Sequence, residues 1–327
     1  MPWPENPAFV LIARDKAPWV GNCVRTMLEQ KGDPITLVFS DQSSTDGTAQ
    51  VIREEVSKYK GPHKTLLLNC PVTKNRGMLG LIDHLNWLHK RLMHEGFDYI
   101  LQMSADDIAG EDRCQRTIEE LRRLDAEEGR RPLFFGTAQI FAEEHELQTI
   151  GVEGSQRTVS KWPEQSQWIT PIEHLQNRVG GSSSNAWDPN LIEAIYPVRG
   201  FALVDVFLPF VAALMGGFYF LREFHHVYVR RPDPANTGLE GRLRMAQNEI
   251  ERTRWREMIH SQLLTNNLIM LDQIREVRQN PDWAEDPNLV EIEDYLVREE
   301  ILGQATALAQ ERCNLTLARV PPMPMPI

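Results

Sequence analysis

The stretch Asp98-Tyr99-Ile100-Leu101-Gln102-Met103-Ser104-Ala105-Asp106-Asp107 decides the fold. An apolar run, Tyr99 to Met103, stops at two adjacent carboxylates. A buried strand that delivers acid groups to the rim of a sheet has this pattern. In open α/β sheets, ligands bind outside the carboxyl ends of the strands. Two carboxylates there suit a hard divalent cation, which takes oxygen ligands and shares them with phosphates. They also suit a solvated turn, with Asp106 or Asp107 capping the next helix. Taken alone, the pair favours the cap, because acidic pairs are common at such boundaries, and the rest of the chain shifts the balance toward the cation.

The flanking sequence alternates strand and helix. Phe9-Val10-Leu11-Ile12-Ala13 is of strand length and ends in the polar rim Arg14-Asp15-Lys16. Trp19, Val20, Cys23, Met27 and Leu28 recur at helical spacing, and Lys31-Gly32-Asp33-Pro34 stops that helix. Ile35 to Phe39 is a second strand, running into the turn-rich loop Ser40 to Thr48. Thr48 starts a helix through Val51, Ile52 and Val56. Thr65 to Asn69 is a third strand and Asn75-Arg76-Gly77 a turn. Leu79 to Leu92 is a helix with Leu81, Leu85, Leu88 and Leu92 on one face. Beyond the paired aspartates come a helix from Glu111 to Leu124 and a strand, Leu133 to Gly136. Such alternation implies βαβ units and a mainly parallel sheet.

From Glu143 to Ser184 the periodicity fades, leaving Trp162, Trp168 and Gly180-Gly181-Ser182-Ser183-Ser184 in polar surroundings. These are either acceptor-side loops or ordinary connections with aromatic packing anchors. Phe201 to Leu221 is apolar enough to be screened as a membrane span, but it holds Asp205, Pro209 and Gly216-Gly217. It therefore reads as a helix over Pro209–Met215, a turn, and a strand over Phe218–Leu221. His225 to Val229 continues as a strand, which turns His225 and His226 to opposite faces, one as a ligand or both as structural residues. A long amphipathic helix is expected from Leu239 to Arg278, broken at Asn280-Pro281-Asp282, then one or two more from Leu289 to Leu317. Leu263, Leu264, Leu268, Met270 and Leu271 would pack on the rest of the chain or on a second copy in a homo-oligomer. The tail Pro321 to Pro326 cannot be helical.

The totals exclude some classes. A net charge of −11 over 327 residues gives no general grip on nucleic acid or anionic membrane, leaving nucleic acid a place only as an acceptor. Four scattered cysteines form no zinc or redox motif and suit reduced thiols in a cytoplasmic protein. The amino-terminal residues show no signal-peptide pattern.

Three loops thus emerge at one sheet edge: Asp41 to Asp46, Asn75 to Gly77, and Ser104 to Asp107. Their order resembles the GT-A glycosyltransferases, in particular the inverting family 2 that uses nucleotide-sugar donors. The likeness covers roughly residues 7–240. Asp41-Gln42-Ser43-Ser44-Thr45-Asp46-Gly47-Thr48 matches the family's acidic loop, with Gln42 in place of a second Asp. Asn75-Arg76-Gly77 matches its Asn-x-Gly turn. Ser104-Ala105-Asp106-Asp107 matches its Asp-x-Asp signature, with Ser104 replacing the leading Asp. After the first strand, Ile12-Ala13-Arg14-Asp15 departs from the family pattern, and Arg14 reads as a surface charge.

The resemblance implies a GT-A type, Rossmann-like, mainly parallel sheet flanked by helices over 1–238, with a helical extension over 239–327. It implies donor contacts from Ala13, Asp15, Asp41, Ser43, Asn75, Gly77, Asp106 and Arg230, with Asp41 reading the nucleoside. Asp107 and Asp106 would serve Mn2+ or Mg2+, one ligating and the other orienting a water or capping a helix. Asp205 would be the catalytic base, its alternative being a helix cap. Arg230 and Arg231 would steady the diphosphate. The donor would be a nucleotide-diphosphate sugar, UDP-linked by preference, and the acceptor a hydroxyl on a glycan, lipid-linked group, protein or modified nucleobase. The substitutions Gln42 and Ser104 support a second reading, a GT-A protein that binds nucleotide sugar without turnover or serves assembly. A nucleotidyltransferase would carry a glycine-rich phosphate loop, and Ala13 to Pro18 has no glycine.

Overall fold

A computed structural model describes residues 3–71, 77–143, 163–177, 184–195, 204–230, 246–281 and 284–317. Trp162, Asn75, Arg231 and the proline-rich tail lie outside them, as do Gly180 to Ser183. The chain divides into two compact units, Met1–Val229 and Arg230–Ile327.

The first unit begins with β1 (Pro7–Ala13), α1 (Ala17–Leu28), β2 (Thr36–Asp41), α2 (Thr48–Lys58), β3 (Lys64–Asn69), α3 (Gly77–His94) and β4 (Tyr99–Ser104). Next come β5 (Ile108–Ala109), α4 (Arg113–Arg123), a π-helical turn (Leu124–Glu128), β6 (Phe134–Glu143) and β7 (Gln167–Trp168). Then follow α5 (Pro171–Asn177), β8 (Ala186–Trp187), α6 (Pro189–Ile195), α7 (Val204–Leu214) and β9 (Phe218–Arg230). One sheet has the order β3-β2-β1-β4-β8-β6-β9-β5, with β7 paired to β9. The long pairings β3–β2, β2–β1 and β1–β4 are parallel. The two-residue strands β5, β7 and β8 add antiparallel bridges, so the sheet is mixed but mostly parallel.

The apolar runs follow from position. β1 lies between β2 and β4 and is covered on both faces, which is why Ala8, Phe9, Val10 and Leu11 are all buried. β3 is an edge strand and only half-covered, leaving Leu67 exposed. α1 buries Val20, Cys23, Val24, Met27 and Leu28, one stripe at helical period.

Several elements differ from the sequence reading. The buried face of α3 carries Ile82, His84, Leu88, His89 and Leu92, while Leu81 and Leu85 are half-covered. Two histidines turn the stripe by about one residue. Asp106 and Asp107 cap no helix, because β5 intervenes and α4 starts only after Asp112. α7 runs through Pro209 instead of starting there. Proline removes one helical hydrogen bond, but burial of Phe207, Leu208, Phe210, Ala212 and Ala213 holds the helix together. The strand begun at Phe218 does continue through His225, and β9 also takes in residues 222–224, which the apolar pattern left out. Its polar middle is accommodated at the surface: the Arg222 N–H donates to Ser166 Oγ, and Glu223 receives the Arg116 guanidinium at 2.7 Å. Trp168 is a packing anchor, edge-on to Tyr219, beneath the Arg130 guanidinium and donating to Glu128. Among the described residues no helix is long and apolar enough to cross a membrane.

In the second unit, α8 (Glu249–Val277), α9 (Pro287–Tyr295), a π-helical turn (Leu296–Ile301) and α10 (Leu302–Leu317) follow one another. α8 starts later than its hydrophobic pattern suggests because Asn248 caps it, accepting the Glu251 N–H. Its buried face mixes Met270, Leu271 and Ile274 with Asn266 and Asn267, and Leu268 points outward, 47% exposed. The Asn267 amide donates to Glu300, and Glu293 is clasped by Arg275 and Arg278.

The turn before β9 tests this packing. The Gly217 carbonyl accepts from the Leu133 and Phe134 N–H groups at 2.8 and 3.0 Å. A Cβ at Gly217 would stand 2.7 Å from Leu133 Cγ. Gly217→Ala should therefore destabilise the protein by about 1–3 kcal/mol, read as a lower urea midpoint.

Candidate functional site

Strand register gathers the site. Ala13 pairs with Asp41, Ile12 with Ser104, and Asp41 with Asn69. The loops after β1, β2 and β4 therefore leave one edge at nearly the same height. β3 ends there too, with α3 beginning at Gly77 beyond it.

A polar clasp joins the first two loops. The Asp15 N–H donates to Ser44 Oγ at 2.8 Å, and Asp15 Oδ1 accepts from the Thr45 N–H at 2.9 Å. The Lys16 N–H donates to Thr48 Oγ1, and the Ala17 N–H to Asp46 Oδ2. Burial raises the Asp46 pKa, but hydrogen bonds from Thr48 and Ala17 outweigh it and hold the carboxyl below its ordinary value. Asp15 and Ser43 have positive φ, 49° and 47°, so both loops turn through left-handed backbone held by these bonds.

Beneath the clasp the second loop is tied inward. Asp41 is buried, and its carboxylate accepts from the Ser44 N–H and hydroxyl. Ser43 Oγ donates to the Cys70 carbonyl, and the Gln42 N–H donates to the Ala13 carbonyl. Gln42, where the resemblance has an Asp, is buried and bridges two elements. Its Nε2 donates to the Gly80 carbonyl in α3, and its Oε1 accepts from Arg14. A carboxylate there would have no proton to give Gly80. Arg14 is therefore part of the loop's framework, not a plain surface charge.

The two aspartates after β4 point apart, as alternation requires. Asp107 turns inward: it is 2% exposed, and its Oδ1 accepts the Val229 N–H at 3.0 Å. That bond ties the end of β4 to β9. Behind it Arg113 is fully buried, donating to the Gln102 carbonyl and lying over the Phe9 ring. Burial pulls the Arg113 pKa to about 10, so it stays a cation at neutral pH, with Asp107 among the groups that favour its charge. Asp106 turns outward, and its Oδ2 meets the Lys16 ammonium.

The structure thus brings together Ala13, Asp15, Asp41, Ser43, Asp106 and Asp107. Asp205 lies in the first turn of α7 and Arg230 ends β9, but their side chains lie outside the described residues, as do those of His225 and His226. The sequence reading missed Lys16, Ser44 and His84, and gave Gln42 only as a departure from the family's acidic loop. Polar residues in a turn-rich loop carry no individual signal, and a histidine within an apolar stripe reads as a break in it.

Comparison with known proteins supplies the family context. Residues 8–138 match the family model described as glycosyl transferase family 2. Among curated proteins none matches the sequence. Solved structures do. TarS 1-349 from S. aureus, in complex with UDP, is 12% identical over 94% of this chain and 92% of that one, at a TM-score of 0.52. The same protein with UDP-GlcNAc gives 12% identity, the same coverage and a TM-score of 0.53. The mannosyltransferase PcManGT from Pyrobaculum calidifontis, in complex with GDP-Man and Mn2+, is 15% identical over 97% of this chain and 76% of that one, at 0.50. The chain has a GT-A fold. The family match covers residues 8–138, and the solved structures show the fold.

The GT-A edge and its resemblance raise the question of a metal. Among the described residues no three His, Cys, Asp or Glu side chains gather to hold one. Mg2+ commonly takes one or two carboxylates and completes its shell with substrate phosphates and water. Asp106 offers one such carboxylate at the rim. The donor set fits a cation that arrives with a diphosphate.

His84 sits below the same edge, its Nε2 2.7 Å from Ser40 Oγ and its Nδ1 without a hydrogen-bond partner among the described residues. Burial, with the nearby Arg14 cation, pulls its pKa down to about 4. The ring is neutral in the folded protein at neutral pH but takes a proton on unfolding once pH drops below 6.5. Stability is therefore full above 6.5 and declines as pH falls toward 4, by roughly 3 kcal/mol for this group. Urea unfolding across that range should show the decline in wild type, and His84→Gln should lack that part of it.

Proposed function

We propose that this chain is an inverting glycosyltransferase that moves a sugar from a nucleotide-diphosphate donor, UDP-linked by preference, to an acceptor hydroxyl. The catalytic region would be 1–238 and the helical extension 239–327. The observation that carries the reading is the edge where Asp15, Asp41, Ser43 and Asp106 meet within the matched residues 8–138. The UDP complexes of TarS support the choice of base, and the Mn2+ complex of PcManGT supports a divalent cation.

In the proposed reaction the acceptor oxygen attacks the anomeric carbon in line with the bond to the diphosphate. The new C–O bond forms as the old one breaks, and its electron pair leaves on the nucleotide diphosphate. Asp205 takes the acceptor's proton. A bound cation would supply counter-charge to the departing diphosphate. Asp106 would hold that cation, while the buried Asp107 keeps β9 against the end of β4. Ala13, Gly77, Asn75 and Arg230 complete the proposed donor contacts. The acceptor would be a hydroxyl of a glycan, lipid-linked group, protein or modified nucleobase, and the compartment the cytoplasm.

The Lys16 ammonium on Asp106 favours a second reading, binding without turnover. Donor hydrolysis and transfer separate the two. UDP with Mn2+ at 100 times its Kd should stabilise the wild type by about 2.7 kcal/mol, seen as a raised Tm. Asp205→Asn should keep that stabilisation and lose about 10²–10⁴-fold in transfer and donor hydrolysis. Undiminished turnover in Asp205→Asn would sink the base assignment. A wild type that binds UDP-sugar and neither hydrolyses nor transfers it would favour the binding protein.

A further inference from the structure

Lys16 is held at both ends. Its backbone N–H donates to Thr48 Oγ1 at the start of α2, at 2.6 Å. Its ammonium lies 2.5 Å from Asp106 Oδ2 and 5.5 Å from the centre of the Trp19 ring. The two side chains are only 20% and 19% exposed. A pair so covered is screened less than a surface pair and orders its partners more firmly. The following residue, Ala17, is pinned as well, its N–H on Asp46. Lys16 is thus a cation placed by the first loop onto the carboxylate that β4 presents.

That carboxylate is also the one the rim offers to a divalent ion. An ammonium and a metal cannot both occupy Asp106 Oδ2, since like charges at that separation repel strongly in a partly dry site. A lysine ammonium is a compact charge with three donors on a flexible stem, able to turn from a carboxylate to a nearby phosphate oxygen. We propose that Lys16 is a resident cation of the donor-diphosphate site. It competes with divalent metal for Asp106 and supplies counter-charge to the diphosphate when metal is absent. This rests on the nucleotide-diphosphate reading above and adds to it a residue that neither the family match nor the sequence motifs single out.

The test uses the full chain as wild type, Lys16→Met and Asp106→Asn, each checked for an unchanged circular dichroism spectrum. In one arm Mn2+ alone is titrated and free Mn2+ is read by electron paramagnetic resonance. In the other, UDP binding is measured by calorimetry in EDTA and again with Mn2+. Lys16→Met should bind Mn2+ about ten-fold more tightly than wild type, and Asp106→Asn should bind it more weakly than either. In EDTA, Lys16→Met should bind UDP about ten-fold more weakly than wild type, and Mn2+ should close that gap. An unchanged affinity in either arm overturns the proposal. If wild type binds no UDP with or without Mn2+, the nucleotide reading and the diphosphate role fall together. The Mn2+ arm then decides the competition at Asp106 by itself.

Discussion

The parallel register of β1 with β2 on one side and β4 on the other is the constraint from which the site follows. Hydrogen bonding sets Ala13 beside Asp41 and Ile12 beside Ser104. Side chains about ninety residues apart in the chain are then neighbours whatever the loops contain. The core enforces that register. Phe9, Leu11, Leu37, Phe39, Leu101 and Met103 belong to one buried cluster, and a slip of one residue would turn each to the opposite face.

Above this frame the polar groups divide by direction. Asp107 and Arg113 face inward and are nearly free of solvent contact, so each depends on its hydrogen-bond partners there. Asp107 uses one oxygen to pin Val229, which makes it a brace between two parts of the sheet. Asp106, one residue away, faces the rim and meets Lys16. Two carboxylates that look equivalent in sequence thus differ in placement: one braces the scaffold, the other faces the rim.

The first two loops show a related economy. Asp41, Ser44, Asp15, Thr45 and Asp46 satisfy one another and the intervening backbone N–H groups. Turns that leave the sheet with positive φ at Asp15 and Ser43 need such support. Gln42 fits the same scheme. It needs a donor for the Gly80 carbonyl and an acceptor for Arg14, and an amide supplies both. Such mutual hydrogen bonding holds the edge in shape by itself.

Much of this was legible in the chain. Buried parallel strands write themselves as continuous apolar runs, and the run from Tyr99 to Met103 ending in Asp106-Asp107 located both a strand and a rim. Periodicity failed where burial and polarity part company: at His84 and His89 within α3, at Pro209 within α7, and at Arg222 and Glu223 within β9. In each case neighbours distant in sequence offset the local preference, and a window of a dozen residues holds no record of them.

The sequence by itself determined the alternation of elements, the sheet edge and the acidic groups that stand on it, because those depend on hydrophobic period and turn chemistry within short spans. Only the tertiary structure decided which aspartate faces in, that Lys16 reaches Asp106, and that Gln42 joins Arg14 to Gly80. Those are contacts across long separations, set by how the strands pair and not by which residues adjoin.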